Sequence, residues 1–556
     1  MNYLASKNRP NLLNELSTNT YDLLVIGGGI TGAGIALDAA SRGLKVALIE
    51  KDDFGAGTSS KSTKLIHGGL RYLKQLEIQL VREVGRERAT VHRLAPHLVL
   101  PEKMLLPLVK GGTYGPLATR VGLYVYDLLA GVKGDDKRKM LNKKDTVEKE
   151  PLLNPQGLLG SGYYAEYRTD DARLTIENIK TAYTYGAHCI NYVKADSFIY
   201  ENGQVNGVNA TDILSQDGIS IKSDYVISAA GPWVDTLRKE DQSLEGKHLF
   251  LSKGVHIVVP FEKLPIKQSI YFDNDDGRMI FAIPRNRVTY IGTTDTPYKG
   301  DLDRIPIDLE DVDYLLKATN QMFPDIELSV EDVESSWAGL RPLIYEEGKS
   351  ASEMSRKDEI FESERGLVSI AGGKLTGYRK MAERVIDVII QKMPAEKAQQ
   401  LQKNATAKIP LAGGALNNTK SVNAYREELR KQIHELGLES YYADYLVANY
   451  GQQSDTILQS IDRKSQDTEA ALIQAELTYT LENEIVNTAL DFFNRRTGRV
   501  YFNLPSVRRQ LDATLSMMQD HFAWDDLRLA KEKEAVIDAL GWVSTFNAAD
   551  SIAFIA

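Results

Sequence analysis

The segment from Tyr21 to Glu50, YDLLVIGGGITGAGIALDAASRGLKVALIE, constrains the fold more than any other part of the chain. An apolar run enters three glycines, an alanine-rich stretch of helical periodicity follows, and a second apolar run ends at Glu50. Gly27 permits a tight turn, Gly29 lets the backbone approach a pyrophosphate, and Gly32 lets the helix pack closely on the strand. The helix start offers N–H groups to phosphates, and Glu50 can accept hydrogen bonds from ribose hydroxyls. The pattern predicts a βαβ unit that binds a dinucleotide.

The residues that follow favour FAD over a nicotinamide cofactor. Only one glycine fingerprint is present, and the Gly/Ser/Thr-rich loop after Glu50, KDDFGAGTSSKSTKLIHGGLRYL, can lie along an extended cofactor and donate hydrogen bonds to it. Two later strand-to-turn segments, SAAG at 228–231 and IAGGKLTG at 370–377, can approach the rest of the same cofactor. Beyond the fingerprint, the candidate cofactor-binding residues are Ser59, Ser60, Thr63, Gly231, Gly373 and Thr376.

Composition excludes several classes of protein. With 556 residues the chain is too long for one hydrophobic core, and its net charge of −9 argues against general nucleic-acid binding. Cys189 is the single cysteine, which rules out an intrachain disulfide and a cysteine-rich zinc site, and we predict no metal centre. The first 16 residues lack the apolar core of a secretory signal, and no apolar run is long enough to span a bilayer. We therefore expect a cytoplasmic protein, with attachment to a membrane surface left open.

Several motifs in chain order carry a family resemblance. GGGITGAG, GTSSKSTKLIHGGLRYL, DDARL, SAAGPWVD, KGVH, TTDTP, WAGLRPL and GGKLTGYRKMAE together resemble FAD-dependent glycerol-3-phosphate dehydrogenases over about residues 20–390. The resemblance implies an α/β protein with a glutathione-reductase-like FAD-binding fold, an antiparallel substrate-domain sheet and a C-terminal helical domain. We place the FAD-binding domain at 1–100, 150–250 and 345–395, the substrate domain at 101–149 and 251–344, and the helical domain at 396–556.

The resemblance also implies the reaction and the residues that perform it. Members oxidise sn-glycerol 3-phosphate to dihydroxyacetone phosphate and pass electrons to a membrane quinone. Arg71 and Arg341 are the candidates for gripping phosphate, because a guanidinium fork matches phosphate oxygens, and Tyr72 can add a hydroxyl. The remaining candidates act near the flavin or take the substrate's hydroxyl proton, and they are His67, His256 and Lys374.

Other interpretations remain open at this point. Soluble oxidases of the same family give electrons to dioxygen and produce hydrogen peroxide; their extra insertion is not obvious here. An amino-acid oxidase would use the arginines for a carboxylate, and a catalytically idle FAD-binding protein would not need this set of arginines, lysine and histidines. The sequence does not decide whether the protein is a homo-oligomer.

One further segment suggests contact with an anionic membrane surface. Its apolar part includes Leu123, Tyr124, Val125, Tyr126, Leu128 and Leu129, and its basic part includes Lys133, Lys137, Arg138, Lys139, Lys143 and Lys144. Apolar and aromatic residues beside a basic cluster are typical of a segment that lies among lipid headgroups. A buried helix followed by a solvated charged loop explains the pattern equally well.

Overall fold

The structure is a computed structural model, and it describes residues 1–67, 78–130, 137–348 and 357–546. Within these ranges the strands form two sheets, and beyond residue 395 the regular structure is helical. The helices are α1 Arg9–Thr18, α2 Ile30–Ser41, α3 Ile78–Leu94, α4 Pro116–Ala130, α5 Lys143–Lys149, α6 Asp171–Thr184, α7 Val234–Glu240, α8 Leu309–Met322, α9 Tyr378–Lys392, α10 Ala395–Gln400, α11 Thr419–Glu435, α12 Tyr441–Tyr450, α13 Ser454–Gln459, α14 Thr468–Asn483, α15 Arg499–Phe502, α16 Leu504–Phe522 and α17 Asp526–Ser544.

The first sheet is built around the glycine fingerprint. Its parallel strands run in the order β7-β2-β1-β10-β18, with β17 antiparallel at one edge and the β8–β9 hairpin antiparallel to the start of β10. All four residues of β2 are buried, as expected for a parallel strand covered on both faces. The strands are β1 Thr20–Ile26, β2 Val46–Ile49, β7 His188–Ile190, β8 Val193–Glu201, β9 Gln204–Asp212, β10 Gly218–Ser228, β17 Asp358–Glu362 and β18 Val368–Gly372.

Small residues bring α2 against this sheet. A Cβ on Gly32 would lie 1.8 Å from the carbonyl oxygen of Gly27, and one on Gly34 would lie 2.8 Å from the ring of Tyr378 on α9. Helix α2 packs closely on α6 and α9 along this small-residue surface. The strand–turn–helix–strand prediction for residues 21–50 is confirmed, and Gly43, with φ of +100°, follows the end of α2.

The second sheet is antiparallel except where β12 runs parallel to β4. Strand β6 hydrogen bonds to β4 along most of its length in this sheet, although the sequence prediction places it in the FAD-binding range 150–250. Alternation reveals a strand but not the sheet that it joins, and the domain boundaries stay a prediction. The strands are β3 Leu65–Ile66, β4 Leu100–Val109, β5 Lys139–Asn142, β6 Leu158–Arg168, β11 Leu249–Pro260, β12 Ser269–Asp273, β13 Met279–Arg285, β14 Val288–Gly292, β15 Thr296–Pro297 and β16 Ser335–Ile344.

The helical region is joined to the first sheet by buried ion pairs. Asp53 accepts two hydrogen bonds from Arg496, at 2.7 and 2.9 Å. Glu484 pairs with Arg173 and Lys180, both on α6. Burial alone would raise the pKa of Glu484, but these two cations lower it to about 2. Because removing one member of a buried pair leaves an uncompensated charge, these contacts hold the helical region in a defined position. The predicted α/β class with a helical C-terminal region is confirmed.

Candidate active site

The glycine turn presents the backbone to a ligand. Gly27 has φ of +114°, and a Cβ there would lie 2.6 Å from the carbonyl oxygen of Ala229. Gly29 is the N-cap of α2, and the next N–H, that of Ile30, donates to Ser59 Oγ at 3.0 Å. The first turn of α2 and the Ser59 hydroxyl therefore meet at the point where a pyrophosphate is expected.

Glu50 lies at the end of β2, beside this turn. Its carboxylate accepts hydrogen bonds from the Gly28 N–H at 2.6 Å and from the Asp52 N–H at 2.9 Å. Burial raises the pKa of Glu50 to about 7, although the two backbone donors oppose the shift. Ribose hydroxyls would supply the further donors that favour the ionised form.

A cavity of about 390 Å³ runs along the carboxyl ends of β1, β10 and β18. Ligands of open α/β sheets bind at this edge. Seven of the predicted residues line the cavity: Gly27, Gly29, Glu50, Ser59, Gly231, Gly373 and Lys374. The cavity therefore extends from Glu50, at the end of β2, to the glycine turn after β18.

The cavity is suited to an extended cofactor. A Cβ on Gly29 would meet only the Ser59 side chain, at 3.2 Å, and one on Gly231 would meet nothing within 4 Å. Packing within the protein does not by itself explain why these positions are glycine. At Gly29 the better explanation is that a ligand needs the space. The backbone turns at the two ends of the cavity suit the pyrophosphate of FAD, and the carboxylate of Glu50 suits its ribose hydroxyls.

The remaining cofactor candidates act less directly. Gly32 serves helix packing, and the Ser60 carbonyl accepts from Lys64 Nζ at 3.0 Å. Thr376 is buried and donates to the His67 carbonyl at 3.2 Å, which links the turn after β18 to the end of β3. Thr63 hydrogen bonds to His256 at 2.9 Å and does not line the cavity.

His256 lies on β11, directly opposite Gly292 of β14 and Trp337 of β16. Its ring stacks on Trp337 with centroids 4.8 Å apart, and its Nε2 faces Thr63 Oγ1. Burial lowers the pKa of His256 well below its usual range, and the charges of Arg341 and Lys64 lower it further. Its Nδ1 is buried and has no hydrogen-bond partner among the described residues. Burial and the two nearby cations therefore favour the neutral form of the imidazole.

Arg341 lies on β16, one residue before Pro342 in the cavity wall. Its Nη2 donates to Thr293 Oγ1 at 2.9 Å, and its Nη1 donates to Asp295 Oδ1 at 3.1 Å. Asp295 also accepts from Ser252. These partners fix the plane of the guanidinium group, which is about one-fifth exposed.

The loop that carries Ser59 and Thr63 connects the cavity to the second sheet. Thr58 lines the cavity and donates to the Leu340 carbonyl at 2.7 Å. Trp337 Nε1 donates to the Ser62 carbonyl at 3.1 Å. These hydrogen bonds connect the loop that lines the cavity to β16, the strand of Arg341, although neither Arg341 nor His256 lines the cavity itself. Arg71 and Tyr72 lie outside the described residues.

Three glycines that the sequence analysis did not select make this arrangement possible. A Cβ on Gly254 would lie 2.3 Å from the Arg341 guanidinium, one on Gly292 would lie 2.1 Å from the His256 ring, and one on Gly339 would lie 2.4 Å from the Lys61 carbonyl. Their signal was present in the motifs KGVH, IGTT and WAGLRPL, where glycine interrupts an otherwise apolar strand.

Two family models together match most of the chain, and curated relatives match it over nearly its whole length. Residues 22–379 match a family model described as FAD dependent oxidoreductase, and residues 404–529 match one described as the C-terminal domain of alpha-glycerophosphate oxidase. The aerobic glycerol-3-phosphate dehydrogenase of Bacillus subtilis is 48% identical over 95% of this chain and 96% of its own length. Its namesake from Staphylococcus aureus is 47% identical over 97% of both chains.

Solved structures give the same result. The glycerol-3-phosphate dehydrogenase of Bacillus halodurans, complexed with FAD, is 43% identical, with a TM-score of 0.83 over 98% of this chain and 99% of its own. The L-alpha-glycerophosphate oxidase of Mycoplasma pneumoniae, at 17% identity and a TM-score of 0.54 over 67% of this chain and 95% of its own, shares the fold. This chain belongs to the family of FAD-dependent glycerol-3-phosphate dehydrogenases, and FAD is its cofactor.

Proposed function

We propose that this enzyme oxidises sn-glycerol 3-phosphate to dihydroxyacetone phosphate and passes the electrons to a membrane quinone. The observation that carries the proposal is the oriented guanidinium of Arg341, one residue from the cavity wall, whose charge acts on the buried imidazole of His256. A dianionic phosphate and a hydroxyl to be deprotonated need this combination of a fixed cation and a neutral base.

Arg341 is the proposed principal phosphate ligand. The acceptors Thr293 and Asp295 hold its guanidinium in one plane, so little conformational freedom is lost when phosphate binds. The further proposed ligands are Lys374, which lies on the cavity wall, and Arg71 with Tyr72. An amino-acid substrate would present a carboxylate instead, and comparing glycerol 3-phosphate with glycerol and with amino acids tests that choice.

His256 is the proposed acceptor of the C2 hydroxyl proton. An imidazole that is already neutral can accept a proton without first losing one. If His256 Nε2–H donates to Thr63 Oγ1, Nδ1 keeps its lone pair and is the nitrogen that accepts the proton, so Thr63 selects the tautomer. FAD, when bound, supplies the acceptor for the C2 hydride. His67, connected to Thr376 through its carbonyl, is the other histidine to test.

Exposed apolar residues on α4 support contact with a membrane surface. Leu117, Val121 and Tyr124 follow one another at helical spacing and are 76%, 55% and 56% exposed. Arg138 lies 4.8 Å from the Tyr124 ring, beside Lys139. A stripe of this kind with cations next to it matches a segment that lies among anionic headgroups.

The predicted membrane segment needs one correction. Leu123 is fully buried against the second sheet, where a Cβ on Gly162 would lie 2.8 Å from its Cδ1. It cannot reach lipid, whereas Leu117 and Val121, which lie in the same predicted segment (residues 105–144), can. The side chains of Tyr126, Leu128, Leu129 and Lys133 lie outside those that the structure describes.

In the part of the chain that the structure describes, no helix is long and apolar enough to cross a bilayer. Co-sedimentation with anionic vesicles at low salt therefore tests surface attachment directly. We expect the triple variant Lys137→Glu, Arg138→Glu, Lys139→Glu to bind weakly and to retain dye-coupled activity. A matched variant that reverses the exposed lysines Lys403, Lys420 and Lys431 should sediment like wild type.

An experiment in two steps, reduction and then reoxidation, identifies the electron acceptor. Glycerol 3-phosphate should bleach the enzyme anaerobically, and glycerol should not. Mixing the reduced enzyme with a quinone analogue or with oxygen then separates the dehydrogenase from the peroxide-forming oxidase. Fast reoxidation by oxygen, slow reoxidation by quinone and no binding to vesicles would establish the oxidase.

A further inference from the structure

A loop of the second sheet lies at the mouth of the cofactor cavity. Residues 298–308, here called the strap, connect β15 to α8. At the strap's centre, Asp303 lines the cavity together with Lys51, Asp52 and Trp233 of the first sheet's loops. The cavity wall is therefore completed by a segment from outside the dinucleotide-binding unit.

Both ends of the strap are fixed on β11. The Tyr298 N–H donates to the Leu251 carbonyl at 2.9 Å. Lys253 donates to the Pro306 carbonyl at 3.3 Å and to Asp308 at 3.0 Å. With its ends held, the strap can change its distance from the cavity mainly through its central residues, 301–304.

The central residues make contacts on two sides. Asp303 pairs with Lys51, whose Nζ also lies 4.2 Å from the Trp233 ring centroid. Arg304, the next residue, donates to Asp538 at 3.1 Å and lies 4.2 Å from the ring centroid of Trp542, both on α17. Asp303 therefore contacts the loops of the first sheet, and its neighbour Arg304 contacts the helical region.

We propose that the strap is a closure that retains FAD, fastened by the Lys51–Asp303 ion pair and supported from the helical region by Arg304. FAD leaves the cavity through the opening that this pair spans, so breaking the pair accelerates release. Lys51 is about one-quarter exposed and Asp303 about 60% exposed, so the pair is accessible to salt. The proposal depends on FAD occupying the cavity and not on the identity of the substrate or electron acceptor.

The test measures FAD release from the holoenzyme, followed by the fluorescence of liberated flavin at low and at high salt. An exposed ion pair is worth little, so we expect Asp303→Asn to accelerate release about two- to fivefold at low salt. High salt should accelerate wild type towards the rate of this variant and change the variant much less. Lys51→Gln should have a similar effect, and the double variant should be no faster than either single variant. Arg304→Gln should accelerate release by a smaller factor.

The matched control is Asp512→Asn, which breaks the exposed Lys533–Asp512 pair of the helical region without approaching the cavity. It should release FAD at the wild-type rate. Thermal unfolding of each apoprotein separates loosened closure from general destabilisation, and the melting temperatures should match. Wild-type release rates in Asp303→Asn, or effects of Lys51→Gln and Asp303→Asn that multiply in the double variant, would overturn the proposal.

Discussion

The two halves of the active site are built in different ways. The cofactor half uses consecutive backbone groups, since Gly27, Gly29 and the first turn of α2 lie within one stretch of a few residues. The proposed substrate half uses side chains from separated strands: Arg341 of β16 lies opposite Ser252 of β11, and its guanidinium reaches over Gly254, two residues before His256. A side chain introduced at one glycine of the contiguous backbone site should therefore prevent cofactor binding. A substitution of one residue in the dispersed side-chain site should instead lower activity by a limited factor.

The largest effect is expected for a substitution in the cofactor half of the site. Gly29→Val should give a folded protein with little or no FAD, because the structure leaves room at Gly29 and the side chain would occupy cofactor space. Gly32→Val should instead fail to fold, because its Cβ would lie 1.8 Å from the Gly27 carbonyl. Flavin absorbance per protein and thermal unfolding distinguish the two outcomes. Full flavin occupancy in Gly29→Val would contradict this binding mode.

The next effect tests the proton acceptor in the dispersed half. Positioned proton transfer contributes about 10²–10⁴-fold to a rate, so His256→Gln should lower kcat by about that factor and leave FAD bound. His248→Gln is the matched control, since that ring stacks on the exposed Tyr345 instead of Trp337. Steady-state kinetics with a dye acceptor measures the effect. If His67→Gln carries the loss and His256→Gln does not, the roles of the two histidines are exchanged.

A smaller effect tests the phosphate ligand. Arg341→Lys keeps the charge but removes the fork, and one charge-assisted hydrogen bond is worth about 1.5–3 kcal/mol, which corresponds to a loss of roughly 10- to 150-fold in kcat/KM for glycerol 3-phosphate. Flavin content should not change. Arg287→Lys offers a control, because Arg287 pairs with Glu334 at the opposite end of β14 from Gly292. Unchanged kinetics in Arg341→Lys would remove this residue from the site.

The same contrast explains what the sequence could predict. The turn from Gly27 to Gly32 and the acid at Glu50 are predictable from spacing, because all of them lie within one βαβ unit of about 30 residues. Thr63 is predicted to contact the cofactor from its place in the loop after Glu50, and the sequence gives no sign of its hydrogen bond to His256 on a distant strand. At Gly254 and Gly292 the sequence shows only a glycine inside a strand, because the side chains that require it, Arg341 and His256, come from neighbouring strands. Likewise, the face of α4 that is buried depends on the packing of Leu123 against β6.

The smallest expected effect is a pH dependence of FAD binding that originates in Glu50. Burial raises the pKa of Glu50 to about 7. Ribose hydroxyls would donate to the carboxylate and lower its pKa, so binding releases a proton wherever the pH lies between the two values. FAD affinity should therefore increase as the pH rises from 6 to 8, by roughly three- to tenfold, and level off above.

Glu50→Gln should bind FAD more weakly and without this slope, because an amide does not titrate. The measurement is FAD binding to apoprotein between pH 6 and 8 for both proteins. An equal slope in the variant would assign the proton to another group. A reversed slope in wild type would mean that the carboxylate is neutral in the complex and acts as a donor. Cofactor binding would then depend on a proton of the Glu50 side chain as well as on backbone groups. The cofactor half would in that respect resemble the substrate half, which is built from side chains.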